Sequence, residues 1–204
     1  MYEKFDVQIA RAIDRYDIVH EFALKHLEVL RFHDVKGITS IKPEWKYKPN
    51  VYVIAVYDTE KMIGGMRLEI STNESLLPFE SALMNDVISI NDFVRNYRSN
   101  GGVCEFSGLW MDSVYSKFKI PTYMTKLGIS LANKLGIKNA FAFANNYSRP
   151  LTEKLGFTST AINNQKVFMY PDDRYPTQLM MKDCTRAKKE ITSLVDLYKV
   201  KLSL

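Results

Sequence analysis

Apolar residues recur every three or four positions near the N-terminus, with charged residues between them. Such spacing gathers apolar side chains on one face of a helix. The pattern predicts either one long helix over Val7–Phe32 or two helices with a break near Tyr16–Asp17. The apolar positions that carry it are Ile9, Ile13, Tyr16, Val19, Phe22, Ala23, Leu27 and Leu30.

Two β-rich runs come next, at Val51–Val56 and Met62–Ile70, and a polar run joins them. A short polar connection between two such runs predicts a β-hairpin. Apolar residues then return at helical spacing until the run Ser99–Gly102, which is a strong stop signal. This region, about residues 76–100, predicts a helical insertion of one or two short helices.

The second half of the chain alternates between strand-like and helix-like runs. The predicted elements are a strand at Val103–Met111, a helix at Ile120–Leu135, a strand at Ala140–Ala144, a short helix at Pro150–Leu155, strands near Val167–Tyr170 and Gln178–Lys182, and a C-terminal helix at Thr185–Leu202. The strand–helix–strand order indicates a βαβ unit with a right-handed crossover. The fold class is therefore α/β (α+β), a mixed sheet with flanking helices.

Composition limits the functions that are open to the chain. It has 204 residues, 46% of them hydrophobic, and no low-complexity stretch, so one domain over residues 1–204 is expected. No apolar run approaches the roughly 20 residues of a membrane span, and residues 1–6 lack the order of a secretory signal. We therefore expect no membrane span, a cytoplasmic location, and reduced core thiols at Cys104 and Cys184.

The net charge of +5 indicates attraction to an acidic partner. A phosphorylated cofactor, an acidic carrier protein and nucleic acid all fit, and so does simple solubility. Binding of nucleic acid is not expected, because neither a motif nor an aromatic–basic repeat accompanies the charge. No metal is expected either, because His20, His26 and His33 have no acid or cysteine at ligand spacing.

The clearest motif lies in residues 145–157. Asn145 is followed by Leu151 and by the run Glu153–Phe157, with sequence Glu-Lys-Leu-Gly-Phe. Read alone, this run is a helix end with a glycine behind its last turn. It also resembles the signature of GNAT-type N-acyltransferases, and Ala132–Ile137 lies upstream where those enzymes end the helix that carries the donor pyrophosphate. The resemblance implies a GNAT-like, mostly antiparallel twisted sheet with a βαβ unit that binds the donor.

The same resemblance implies where the donor binds. In GNAT enzymes the phosphates meet the N-terminus of the βαβ helix, where free N–H groups and the helix dipole attract anions. The two glycines of the family's phosphate loop correspond here to Lys119 and Pro121, so both are missing. Lys117 and Lys119 can supply positive charge instead. Thr122 is expected in the same cradle, and Asn145 is expected to orient pantetheine or a water molecule.

The resemblance also assigns roles near the thioester. The main chain of Leu109 and Met111 is expected to donate N–H groups to the thioester oxygen. Thr152 stands where many acetyltransferases have a tyrosine that protonates the leaving thiolate. Either Tyr147 or Tyr123 can replace it, and we take Tyr147 as the candidate acid.

A second, narrower resemblance covers roughly Met62–Phe157. The runs Gly64–Leu68, Ser71–Thr72 and Leu76–Phe79 follow the residue order of acyl-homoserine-lactone synthases, which are GNAT-like in fold. Cys104–Ser107 continues it, although the arginine that comes next in that family is a glycine here. The resemblance implies enzymes that take longer acyl groups from acyl-CoA or an acyl carrier protein.

The acceptor is less clearly marked than the donor. The pattern with which acyl-homoserine-lactone synthases bind their acceptor has only an echo in Arg31, Phe32 and Trp45. A homoserine-lactone product is therefore not supported. What the resemblance implies instead is the acylation of an amino acid or a similar small amine.

Two ionisable residues lie inside predicted strands. Glu105 is either exposed or buried, and if it is buried near the thioester its raised pKa makes it a base for the acceptor amine, directly or through a water molecule. Arg67 stands between apolar residues, so a partner carboxylate is expected. That partner is Glu105, another acid or a substrate carboxylate.

Together the two resemblances imply an N-acyltransferase that moves an acyl group from a pantetheine thioester to an amine. The thioester is either acyl-CoA or the phosphopantetheine of an acyl carrier protein. The alternative is a non-catalytic module of the same fold that binds an acyl carrier or a small effector, because both glycines and the usual tyrosine are missing.

Overall fold

A mixed, mostly antiparallel sheet runs through the computed structural model, which describes residues 5–38, 42–83, 87–185 and 199–203. The strands are β1 (Asp6–Arg11), β2 (Val51–Asp58), β3 (Lys61–Ile70), β4 (Val103–Met111), β5 (Asn139–Asn145), β6 (Thr158–Thr160), β7 (Phe168–Met169), β8 (Pro176–Asp183) and β9 (Lys199–Ser203). The helices are α1 (Tyr16–Phe32), α2 (Pro78–Ala82), α3 (Val87–Ser99), α4 (Ile120–Lys134) and α5 (Arg149–Lys154), with 3₁₀ turns at Pro43–Tyr47 and Ser113–Phe118.

The sheet has the order β6-β8-β5-β4-β3-β2-β1-β9, and the short β7 also pairs with β8. Two neighbouring pairs, β4 with β5 and β1 with β9, are parallel, and the other pairs between described strands are antiparallel. Helix α4 connects the parallel neighbours β4 and β5. The predicted fold class and the predicted βαβ unit are therefore confirmed.

Most of the predicted elements are present at nearly the predicted bounds. The hairpin is formed by β2 and β3, and Asp58 pairs with Lys61 across a turn in which Thr59 has a φ of 59°. The helical insertion consists of α2 and α3. No helix in the described part of the chain is long and apolar enough to cross a membrane.

Apolar clusters cover both faces of the sheet. On one face α4 packs on the central strands in the largest cluster, which includes Met66, Phe106 and Met124. On the other face α1 covers one cluster around Phe22, and α2 and α3 cover another around Phe141. Cys104 and Cys184 are buried and free. The part of the second face that lies between its two clusters carries charged residues.

The prediction for the N-terminal region was wrong over its first residues. Asp6–Arg11 is strand β1, paired antiparallel with β2, and helix α1 begins only at Tyr16. Val7 and Ile9 alternate in the strand and are buried in the largest cluster. The same apolar residues fit a helical pattern when continued to Ile13, but pairing with β2 satisfies their backbone groups as a strand.

The predicted C-terminal helix was wrong at its end. Lys199–Ser203 forms β9, which pairs in parallel with β1 along its length. The sheet edge at β1 offers unpaired N–H and C=O groups, and a strand satisfies them where a helix cannot. The rest of the predicted helix, residues 186–198, lies outside the described residues.

Candidate active site

Strands β4 and β5 separate halfway along their length. Their pairing begins at Val103 with Asn139 and ends at Phe106 with Ala142. Beyond that point β5 stays paired with β8 as far as Asn145, and β4 stays paired with β3 as far as Met111. A gap therefore opens in the middle of the sheet, between the carboxyl-terminal halves of two parallel strands.

A β-bulge lies at the start of this gap. Met66 of β3 faces two residues of β4, Gly108 and Leu109, where the register shifts. Gly108 has a φ of 59°, the left-handed conformation that a glycine adopts without strain at such a bulge. The bulge begins two residues beyond the last β4–β5 pair. The main chain of Leu109 and Met111 therefore belongs to the half of β4 that no longer pairs with β5.

The N-terminus of α4 lies at the same end of the sheet as the gap. A methyl group added to Gly64 would lie 3.2 Å from the Trp110 carbonyl oxygen and 3.3 Å from Cγ2 of Ile120, so the first turn of α4 packs beside the bulge. Lys117 and Lys119, which precede it, are both exposed. Pro121 in the first turn has no N–H, but a helix leaves that group unpaired in any case.

Lys119 adopts a backbone conformation that is rare for residues with a side chain. Its φ is 55° and its ψ is 27°, in the left-handed region. The resemblance to GNAT enzymes assigns this position to the first glycine of their phosphate loop. The backbone path that a glycine would allow is therefore kept, and a positive charge is added at the helix N-terminus.

A buried charged cluster lies on the opposite face of the sheet, where Arg67 pairs with Ser107 and Glu69 pairs with Glu105 across β3 and β4. The Nε of Arg67 donates a hydrogen bond to Oγ of Ser107 at 3.1 Å. An Nη atom of Arg67 lies 3.8 Å from the Glu69 carboxylate, and its guanidinium is 4.7 Å from the centre of the Trp45 ring. Glu69 is therefore a partner acid of Arg67, and Glu105 lies opposite Glu69 on the same face of the sheet.

Glu105 is buried, which decides between the two alternatives that the sequence left open. Its Oε2 accepts a hydrogen bond from the Phe79 N–H at 2.9 Å. Burial raises the pKa of Glu105 to about 8, and the nearby Glu69 and Glu80 add to the rise, against the effects of the Phe79 hydrogen bond and of Arg67. A carboxyl group with this pKa exchanges protons near neutral pH.

A cleft of about 130 Å³ opens beside this cluster, with Arg67 and Glu69 among its walls. Lys48 closes one side, where its Nζ lies 2.7 Å from Oε1 of Glu69. The walls come from the 3₁₀ turn at Pro43–Tyr47, from β3 and from the start of α2. The lining residues are Lys42, Glu44, Trp45, Lys48, Arg67, Glu69, Leu76, Pro78 and Ser81.

Comparison with solved structures gives matches over nearly the whole chain. A CoA-dependent acyl-homoserine lactone synthase, BjaI, solved with SAM and isopentyl-CoA, has a TM-score of 0.66 at 15% identity, over 98% of this chain and 93% of that one. FeeM, an N-acyl amino acid synthase from uncultured soil microbes, has a TM-score of 0.60 at 14% identity, over 91% and 93%. Escherichia coli ElaA has a TM-score of 0.62 at 8% identity, over 88% and 99%.

The chain has the GNAT fold. No family model matches the sequence, and no curated protein matches it. The likeness is therefore one of structure, at identities that establish the fold, and it agrees with the branch that the sequence motifs indicate.

The GNAT fold places the predicted donor residues at one end of the sheet. Leu109 and Met111 flank the gap, and Lys117, Lys119 and Thr122 surround the start of α4. Asn145 ends β5 at the same end. Its Oδ1 accepts hydrogen bonds from the N–H groups of Tyr147 at 3.0 Å and of Ser148 at 3.2 Å, so the side chain also holds the turn into α5.

The candidate acids differ in their surroundings. Tyr147 follows β5 and is 83% exposed, with its ring 6.4 Å from that of Tyr175. Tyr123 is buried on α4. Thr152 is also buried, and its hydroxyl donates to the Arg149 carbonyl at 2.8 Å within α5. Thr152 therefore stabilises its own helix, and the role of Tyr147 stays a prediction.

Three charged residues of this face, Glu69, Glu80 and Lys48, were not predicted as site residues. The sequence does indicate the position of Glu69. It stands two residues after Arg67 in a strand, and side chains two residues apart lie on the same face of a sheet. Glu80 accepts the Leu77 N–H at 2.7 Å at the start of α2, a capping arrangement that depends on where a short helix begins. Lys48 comes from a loop, and nothing in the sequence indicates that it meets Glu69.

Proposed function

We propose that this chain is an N-acyltransferase that moves an acyl group from a pantetheine thioester to an amine. The separation of β4 from β5 beside the N-terminus of α4 is the observation that carries the proposal. A gap between parallel strands accommodates a narrow extended arm and exposes backbone groups along its edges. The start of a helix beside the gap suits the phosphates to which such an arm is attached.

The donor phosphates are held at the start of α4. Lys117 and Lys119 are exposed there and provide charge, and Thr122 provides a hydroxyl within the first turn. Acyl-CoA and the phosphopantetheine of an acyl carrier protein present similar groups to this site. The net charge of +5 favours approach of an acidic carrier protein as well as of CoA. No metal takes part in this scheme.

The thioester lies at the bulge. The main-chain N–H groups of Leu109 and Met111 stabilise the oxyanion that forms when the carbonyl carbon is attacked. Asn145, across the gap on β5, orients the pantetheine arm. Tyr147, beyond the end of β5, is the candidate acid for the leaving thiolate.

The acceptor amine approaches from the opposite face, where Arg67 lines the cleft. An ammonium group has no lone pair, so it must lose a proton before it attacks the thioester. Glu105 is the base in this scheme, and it acts directly or through a water molecule. Arg67 and Lys48 provide positive charge for an acceptor that also carries a carboxylate, such as an amino acid.

The test is a donor and acceptor panel with purified protein. Acyl-CoA thioesters of increasing length and acyl carrier proteins loaded with the same chains are each combined with a set of amino acids and simple amines. Release of free thiol and the mass of the N-acyl product are recorded. We expect turnover with at least one pair and slower turnover for Glu105→Gln.

Two results would contradict the proposal. Failure of every donor to bind, measured by calorimetry, would remove the donor site. If a donor binds but no acceptor gives turnover, the result would instead favour the non-catalytic module that binds an acyl carrier or a small effector.

A further inference from the structure

His26 is a buried imidazole on the inner face of α1. Its side chain is 8% exposed, whereas His20 and His33 are exposed. The ring stacks on Phe22, with 5.9 Å between ring centres and 27° between ring planes. Within the described residues, the ring makes no hydrogen bond, and it lies beside Phe22 and near the positive charge of Arg67.

The imidazole ring of His26 lies against the bulge of β4. A methyl group added to Gly108 would lie 3.4 Å from Cε1 and 3.5 Å from Nδ1 of His26. The imidazole therefore touches the strand two residues beyond the last β4–β5 pair, where the gap begins. Burial and the charge of Arg67 lower the pKa of His26 to about 4. The ring is therefore neutral at physiological pH, and one nitrogen has a free lone pair.

Packing alone does not account for an imidazole here. A leucine or a phenylalanine would fill the same space against Phe22. In the described part of the chain the ring nitrogens are not among the fully buried polar atoms that lack a partner, so solvent or a small molecule can reach them. A neutral imidazole at the opening of the gap is instead placed to accept a proton from a reacting group.

We propose that His26 is a catalytic residue of the acyl transfer and takes a proton from the acceptor nitrogen as the carbon–nitrogen bond forms. This role rests on the proposed function. A primary ammonium must lose two protons to become an amide. Glu105 takes the first, which frees the lone pair that attacks the thioester carbonyl carbon.

His26 takes the second proton while the carbon–sulfur bond breaks and the sulfur leaves as a thiolate. Tyr147, the candidate acid, gives its proton to the thiolate and regains one from solvent, and the imidazolium gives its proton to solvent, which restores the neutral ring. Glu105 returns its proton to solvent. Each proton and each bond is thereby accounted for, and no other reactant is needed.

The test compares His26→Ala and His26→Gln with His20→Ala, a control on the exposed face of the same helix. Steady-state kinetics use the donor and acceptor pair for which the wild type shows turnover, with and without added imidazole. We expect kcat of His26→Ala to fall on the order of 100-fold or more, with an unchanged KM for the donor. Imidazole restores part of that loss and leaves His20→Ala and the wild type unaffected.

His26→Gln keeps the side-chain volume but cannot accept the proton, so it stays slow with or without imidazole. This variant decides the question if His26→Ala fails to fold. A folded His26→Gln with wild-type kcat overturns the proposal, and so does a folded, slow His26→Ala that imidazole does not restore. A wild type without turnover on any pair overturns the proposed function itself, whereas an active wild type with fully active variants overturns only the role of His26.

Discussion

Glu105 accepts a hydrogen bond from the backbone N–H of Phe79 at 2.9 Å, which joins β4 to the first turn of α2. The start of a helix leaves N–H groups without partners inside the helix, and here carboxyl groups fill that need. Glu80 does the same for Leu77 at 2.7 Å. Pro78 lies between the two and lines the cleft. The candidate base therefore also fixes one wall of the candidate acceptor site.

The first prediction concerns the pH dependence of turnover. Glu105 can accept a proton only when ionised, and its pKa is about 8. We expect kcat/KM to rise about tenfold per pH unit below pH 8 and to level off above it. Glu105→Gln keeps an oxygen for the Phe79 N–H but cannot accept a proton, so this rise disappears and turnover falls by about 10²-fold or more.

The control is Glu60→Gln, a substitution of the same kind at an exposed turn position between β2 and β3. It should leave the pH profile unchanged. A Glu105→Gln profile that keeps the wild-type rise near pH 8 would show that another group accepts the proton.

The second prediction concerns stability against pH, where Glu105 and His26 act in opposite directions. The pKa of Glu105 is raised from 4.5 to about 8 in the folded state, so its contribution to stability is lost as pH rises between those values. The pKa of His26 is lowered from 6.5 to about 4, so its contribution is lost as pH falls between those values. Of these two groups, only Glu105 changes its protonation between pH 6.5 and 8, so the free energy of unfolding should fall over this range.

Urea unfolding at half-unit steps from pH 4 to 9 checks this. Glu105→Gln should lose the fall between pH 6.5 and 8, and His26→Gln should lose the fall on the acid side, between pH 6.5 and 4. Identical profiles for the wild type and both variants would mean that neither group is perturbed by folding.

Local patterns were enough for most of the fold. The hairpin and the βαβ unit follow from short-range turn and period signals, and both are present. β1 was mistaken for a helix because Val7 and Ile9 fit both the helical period and the strand period. Only the pairing with β2, which lies beyond α1 in the sequence, decides between the two. β9 depends in turn on β1, so its place could not be predicted either.

The candidate site, like the fold, could be predicted from local patterns only in part. The sequence indicates that Arg67 and Glu105 stand inside strands, but their shared face appears only when β3 and β4 are paired in register. The bulge at Gly108 has no sequence signal beyond the glycine itself. His26 gave no signal as a site residue because its neighbours in sequence carry no motif, and its contact with Gly108 depends on how α1 docks on the sheet.

The third prediction separates backbone strain from charge at Lys119. A left-handed conformation costs an ordinary residue about 1–2 kcal/mol, and glycine avoids this while losing about 0.5–1 kcal/mol through its greater freedom when unfolded. Lys119→Gly should therefore raise the free energy of unfolding by up to about 1 kcal/mol. It should also weaken CoA binding by up to about fivefold, because exposed ion pairs contribute up to about 1 kcal/mol.

Lys134→Ala is the control, since it removes the same charge from the exposed last turn of α4. Calorimetric titration with CoA at two salt concentrations measures the affinity, and the loss in Lys119→Gly should shrink at high salt. Equal losses in both variants would mean that CoA responds to net charge and not to the start of α4.

The last prediction compares two glycines that face the two sides of the sheet. A methyl group at Gly65 would lie 2.5 Å from Cδ2 of Phe22, and one at Gly128 would lie 2.5 Å from Cε of Met66. The Phe22 ring is rigid and buried, whereas the end of a methionine side chain can move. Gly65→Ala should destabilise the protein by about 1–3 kcal/mol. Gly128→Ala should cost much less, because alanine gains about 1 kcal/mol over glycine within a helix.

Gly65→Ala should also affect turnover, because Phe22 stacks on His26 and lies against Gly108. A displaced Phe22 ring shifts the imidazole away from the bulge, so kcat falls in this variant while Gly128→Ala stays close to the wild type. Urea unfolding and steady-state kinetics on both variants measure the two effects. If Gly65→Ala is destabilised and yet keeps full kcat, the stacking of Phe22 on His26 does not position the imidazole for the reaction.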